Sequence, residues 1–328
     1  NVGSGMTTVG DALLKISAPM IAFGGYAIKA GAEFEASMSD VKGTAGLTEE
    51  EFDKLATKAR ELGKEIKGAS SKEIADSYKY LALAGQDANT MLETIEPNVK
   101  ASIAWGQDMA ESTDMVTDSM SALHIETEKT EWYLNTLTKA QNKSNTTAMQ
   151  LGEAYIACGN QLSNMHVPLE ESATVLGIMA NQGIKGSEAG TALNSVLINL
   201  MGTTDMTSGA LSKMGVQVYD QDGKFRGLHT VLEDCKKAMG NMTDEQKDMI
   251  ASALGGKTQL DTFLAMLQAT GSTYDNLYGQ ISNCDGALEN MYQTMTDNTK
   301  GSWTELKDMA ESVGLEFAND LLPVCNDL

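Results

Sequence analysis

Apolar residues recur along this chain with a helical period, and the apolar runs open on recognisable start signals. Thr48-Glu49-Glu50-Glu51 reads as a capping box, in which a Thr hydroxyl and a Glu carboxylate take up free N–H groups of a first helical turn. Phe52, Leu55, Ala59 and Leu62 then line one face, and Gly63 predicts a left-handed stop. Ser70-Ser71-Lys72-Glu73 opens the next helix, with Ile74, Tyr78 and Leu81 on its face and Gly85 at its end. Asp87 begins a third, which Pro97 is expected to kink or split, because proline lacks the N–H and clashes with the preceding turn. Thr147-Ala148-Met149-Gln150, Thr243-Asp244-Glu245-Gln246 and Ser302-Trp303-Thr304-Glu305 repeat the box downstream. Pro168 stands where a first helical residue belongs. Glu170 and Glu171 follow, favourable against the helix dipole, with Leu169, Ala173, Leu176 and Ala180 at helical spacing.

One stretch breaks the helical pattern. Residues 216–228 alternate through Val216 and Val218 and return through Phe225, with Asp222-Gly223 as the turn, which predicts a short β-hairpin. Asp220 and Asp222 do not make a calcium loop, since Lys224 stands where the third oxygen ligand is needed. No internal period of 20–50 residues is visible in the sequence. The expected fold is mainly α: a compact module of short capped helices with one small hairpin, over residues 41–300. A small-residue-rich helical segment (1–40) precedes it, and the start of a helical extension (301–328) follows.

Composition strengthens the helical reading. The 328 residues are 42% hydrophobic but only 5% aromatic, with 20 Met and four Pro, so cores must be built from Leu, Ile, Ala and Met. The formal net charge of −21 repels phosphates and argues against sequence-independent binding to nucleic acid. Cys158, Cys235, Cys284 and Cys325 stand far apart with no CxxC spacing, as expected of buried free thiols. The longest uncharged run, residues 16–28, is too short to span a bilayer.

Catalytic signatures fail on inspection. ALGGKTQL (253–260) ends like a phosphate loop, but the GxxxxGK[ST] spacing demands glycine at 251, where Ala251 stands, and the preceding residues read as a helix rather than a strand. Gly255 and Gly256 are therefore expected at a helix stop and restart. Gly183, Gly186 and Gly190 form GxxGxxxG, not the dinucleotide fingerprint, and are expected to let the two helices flanking that turn approach closely. His124, His166 and His229 are isolated and lack metal-ligand spacing. No enzyme, cofactor or metal is expected; the site residues of this chain are the helix-junction glycines Gly85, Gly183, Gly186, Gly190, Gly255 and Gly256.

Four stretches lose their generic look when read together: YLALAGQDANTML (80–92), DMVTDSMSAL (114–123), SNTTAMQLGEAY (144–155) and LGIMANQGIKGSEAGTALNSVLINLM (176–201). In this order and spacing they resemble the core region of the phage tail tape measure protein family. FEASMSDVKG (34–43) is similar to the family's entry to that core, and GVQVYDQDGKFRGLHTVLEDC (215–235) to its continuation. Leu254-Gly255-Gly256-Lys257 resembles a family helix end that usually carries an aromatic residue, absent here. The resemblance implies a mechanical role: a ruler along the tail tube lumen whose length sets where the tube stops, released on ejection. It implies the tail tube, baseplate or tail-tip proteins and tail assembly chaperones as partners, in a homo-oligomer. A virion tail location, in a phage or a tail-like particle assembled in the bacterial cytoplasm, goes with it. The alternative is a helical membrane-active or pore-forming module reaching the host envelope, suggested locally by the Ala/Gly/Met-rich residues 1–32.

Overall fold

The computed structural model describes residues 29–256 and 260–297. Two of the expected stretches, the small-residue segment up to residue 28 and the Ser302 capping box, lie outside them. The described chain is helical from end to end: α1 (29–45), α2 (Glu49–Glu65), α3 (Ser71–Leu83), α4 (Ala88–Trp105) and α5 (Met109–Ala122). A 3-10 turn at Thr127–Lys129 leads into α6 (Thr130–Lys143), followed by α7 (Ala148–Asn164), α8 (Leu169–Asn181), α9 (Gly186–Leu200) and α10 (Asp205–Met214). Then come α11 (Leu228–Met239), α12 (Asp244–Gly255), α13 (Leu260–Met266), α14 (Gly271–Ile281) and α15 (Ala287–Thr296). The described residues divide into two units, one of 29–99 with 293–297, the other within Lys100–Tyr292.

The start signals work as their chemistry requires. Complete capping boxes close on Thr48, Ser70, Thr147 and Thr243, each satisfying orphan N–H groups at about 1 kcal/mol per cap. Four local expectations change. Gly63 does not stop α2, which runs on to Glu65; a Cβ there would sit 2.8 Å from the backbone nitrogen of Ser71, so the glycine lets α3 start against α2. Pro97 does not split α4, which is continuous through it. Pro168 caps α8 from the position before the first helical residue. The hairpin shrinks to one antiparallel bridge between Tyr219 and Phe225. The Asp220 carboxylate takes the N–H groups of Asp222 and Lys224 (2.9 and 2.8 Å), holding a tight loop. Gly227, at φ +92°, then turns the chain into α11 before a ladder extends.

The larger correction concerns repetition. The helices α3, α5, α7 and α9 start 38 or 39 residues apart, and α2, α4, α6, α8 and α10 start 36 to 42 apart. Side-chain bonds fall at the same separation. In the first unit Ser37 donates to Asp76 (2.6 Å), Lys79 pairs with Asp40 (3.3 Å) and Lys58 with Glu96 (3.8 Å). In the second, His124 meets Ser163 (3.1 Å), Trp132 donates to Glu170 (3.1 Å) and Asn145 donates its N–H to Asn181 (2.8 Å). Helices α2–α10 therefore recur in two-helix steps of about 39 residues, and within the second unit α5, α7 and α9, and likewise α6 and α8, pack on their counterparts one step earlier. Hydrophobic spacing alone conceals this, because only helix starts and turns recur, not residue types.

Within the second unit, α5, α7 and α9 form one layer and α6 and α8 the next. The later helices fold back over that second layer: α14 packs on α6 and α8, while α11 and α13 pack on α8. Every residue of α8 from Glu171 to Ala180 is buried, as expected of a helix covered on all sides.

Candidate functional site

The sequence-selected glycines occupy three kinds of position. Gly85, Gly183 and Gly256 lie at helix ends with φ of +82°, +92° and +87°, where a Cβ would be strained although open space surrounds it. Gly186 is the first residue of α9, and Gly255 is the last of α12, with Phe263 so close that a Cβ would come 2.8 Å from it. Lys257, Thr258 and Gln259 of the would-be phosphate loop lie outside the described residues. Gly190 sits inside α9 with its α-carbon pressed on the backbone of Ala154, in α7. The close approach is thus between α9 and α7, one repeat earlier, and not between the helices that flank the glycine-rich turn. Gly159 serves the preceding step in the same way: a Cβ there would lie 2.8 Å from the carbonyl carbon of Ala122 in α5.

Hydrogen bonds stitch the two layers together. The Tyr133 hydroxyl of α6 donates to Ser119 of α5 (2.6 Å), and that of Tyr155 in α7 meets Ser172 of α8 (3.2 Å). The Trp105 indole at the end of α4 donates to Thr138 of α6 (3.0 Å). Burial pushes the Tyr133 and Tyr155 phenols well above their usual range and the Cys158 and Cys235 thiols up to about 12. Together with Cys284 these thiols are free and buried. At neutral pH such groups are uncharged and act as packing, not as nucleophiles.

Sequence reasoning missed the polar residues that finish the later helices. Gly227, at the cap of α11, has no side chain to offer; the Glu171 carboxylate of α8 accepts the His229 N–H instead, at 2.7 Å. Asn135 of α6 accepts the Leu288 N–H at the start of α15 (2.9 Å). Gln182, just past α8, donates to the Ala265 carbonyl near the end of α13 (3.0 Å), and Asn199 of α9 to Leu254 near the end of α12 (2.8 Å). Each is a helix terminus satisfied by a residue at least 55 positions away. Glu171, expected to serve the dipole of its own helix, is a buried acid serving another. Burial raises its carboxyl above the ordinary value of 4.5, against the pull of the His229 N–H. The one signal available in the sequence was Gly227, a cap position that needs an outside acceptor.

Side-chain chemistry in this molecule is directed at helix ends and helix–helix contacts, which defines an all-helical structural module. The model of the phage-related minor tail protein family matches residues 56–256, and the chain belongs to this family, that of the phage tail tape measure proteins. It is 30% identical to the tape measure protein of Pneumococcus phage Dp-1 over 323 residues, which are 98% of this chain and 28% of that protein. It is 24% identical to the probable tape measure protein of Escherichia phage P2, covering 95% of this chain and 39% of that one. With the probable tape measure protein of Clostridium phage phiCD119 the identity is 23%, over 90% and 32% of the two chains. The chain thus spans well under half the length of these curated relatives. No solved structure matches it.

Proposed function

We propose that this chain is a folded module, centred on residues 41–300, of a tail tape measure protein that sets tail tube length during assembly and leaves the tube on ejection. The observation that carries the reading is the match over 98% of this chain to a tape measure protein of which it covers 28%. A compact module within a much longer ruler explains both figures. The role is structural rather than catalytic, in keeping with neutral buried thiols and phenols. Its partners are tail proteins: the tube lumen, the baseplate or tip, and assembly chaperones, with several copies side by side. Of the helix-junction glycines, Gly190 and Gly255 hold helices close together, while Gly85, Gly183 and Gly256 shape helix ends. A net charge of −21 keeps such a chain from adhering to DNA in the same tube.

The test uses the complete gene, with an in-frame deletion in a helical stretch outside this module and tail lengths read by negative-stain electron microscopy. Tails shortened in proportion, by up to about 1.5 Å per residue removed, are the expected result. Tails of normal length would overturn the ruler. The relatives support this reading and not the membrane-active alternative. No helix among the described residues is long and apolar enough to cross a membrane, and the segment that suggested insertion lies largely outside them.

A further inference from the structure

We propose that the face of α5, α7 and α9 turned away from α6 and α8 docks a basic amphipathic helix of another protein. The apolar side chains of that helix cover Ile156 and Ile198, and its Lys or Arg side chains meet Asp114 and Asp118. Inner contacts fix which residues point outward. In α5, Met115 meets Gly152 of α7 and Ser119 meets Tyr133 of α6, which leaves Glu111, Asp114 and Asp118 as one exposed stripe. In α7, Gly152 and Gly159 face α5, Ala154 faces Gly190 of α9, and Tyr155 faces Ser172 of α8. Glu153 and Ile156 are left on the outer side, both exposed. The Met115–Gly152 and Ala122–Gly159 contacts set Ile156 level with Asp118 across the groove between α5 and α7.

Two properties separate this face from an ordinary solvated surface. The first is apolar: Ile156 is 44% exposed, Ile198 of α9 42%, and Met201 just beyond it 43%. The second is charge without counter-charge. Helices α5, α7 and α9 carry Glu111, Asp114, Asp118, Glu153 and Glu188, and contain no Lys or Arg. On α2 and α3, by contrast, Glu50 pairs with Lys54 (2.7 Å) and Asp76 with Lys72 (2.6 Å), each one turn away. The residue one turn beyond Asp114 is Asp118, a like charge that weakens a helix. Burial, and then Asp118, hold the Asp114 carboxyl above its ordinary value. A cation brought by a partner relieves that repulsion.

The signs choose the partner. Nucleic acid and anionic lipid are repelled by such a face. A second copy carries a net charge of the same sign, −21. A neutral apolar surface would cover carboxylates without supplying a counter-charge, which is costly. A helix whose lysines flank an apolar ridge satisfies both properties, with the ridge seated in the groove. Glycine contacts already hold α7 close to both neighbours, so little ordering of this surface is left for binding to impose. Such docking is separate from the ruler role and needs only this surface.

Fluorescence anisotropy on the whole chain tests the proposal, with a labelled amphipathic helical peptide of leucine and lysine as the probe. Binding is expected, and a lysine/serine peptide of equal charge should bind at least about tenfold more weakly, for want of an apolar ridge. Ile156→Gln with Ile198→Gln should raise Kd about tenfold. Asp114→Asn with Asp118→Asn should raise it about fivefold. Glu245→Gln with Asp248→Asn removes the same charge from exposed positions of α12 and should leave Kd unchanged. No binding, equal binding of the two peptides, or equal weakening by the α12 pair would overturn the proposal and leave this face an ordinary acidic surface.

Discussion

Helices α7 and α11 have opposite origins of order. The start of α7 is written in its own residues, a Thr147–Gln150 capping box, and its middle is fixed by glycine contacts to the helices one repeat before and after. By contrast α11 starts on a glycine, and its first turn is finished by a carboxylate 58 residues upstream. The first is a local structure that packing then extends. The second becomes a helix only where another part of the molecule is already in place, since isolated helices of this length are marginal in water.

Substitutions can break that contrast in order of severity. Gly190→Ala should cost the most, about 2–3 kcal/mol in urea unfolding, because the new methyl meets the Ala154 backbone, which cannot step aside. Gly152→Ala, which meets only the flexible Met115 side chain, is the milder comparison, and equal losses would mean that α7 and α9 move apart freely. Thr147→Ala should remove about 1 kcal/mol by deleting one cap, seen as a lower urea midpoint with an unchanged slope.

The smallest effect is one of pH. The Glu171 carboxyl has a raised value in the folded chain, so the folded state holds its proton more tightly than the unfolded one does. Its contribution is fully present below about pH 4.5 and is lost as pH rises through the folded value. Glu171→Gln should therefore match the parent below that point and gain in relative melting temperature above it. A difference that shrinks with rising pH would mean that the carboxylate is stabilised, not penalised, where it sits.

Helices that start on their own caps were legible in the sequence, and those finished from far along the chain were not. Capping boxes at Thr48, Ser70, Thr147 and Thr243 act within four residues, so reading the chain locally finds them. Gly85 was legible for the same reason: the left-handed stop is a property of the residue itself. Gly63 was misread because a glycine that permits a close approach looks the same in sequence as one that ends a helix, and Gly190 was read as a close-approach glycine but given the wrong partner helix. Asn135, Glu171 and Gln182 carry no local mark at all, since each is polar for the benefit of a helix far along the chain. The two-helix period was hidden for a related reason. His124 and His166 hold the left-handed position that Gly85, Gly106 and Gly183 hold elsewhere, so the geometry repeats without the letter.

That period bears on how such a chain changes size. Since α5, α7 and α9 lie parallel at steps of 38 or 39 residues, excising one step would seat α9 on α5 in the register that α7 now occupies. An excision half as long would bring helices of unlike kind together and leave the buried α8 without its walls. Gains and losses compatible with folding therefore come as whole helix pairs, and the lengths open to this module form a ladder with rungs about 39 residues apart.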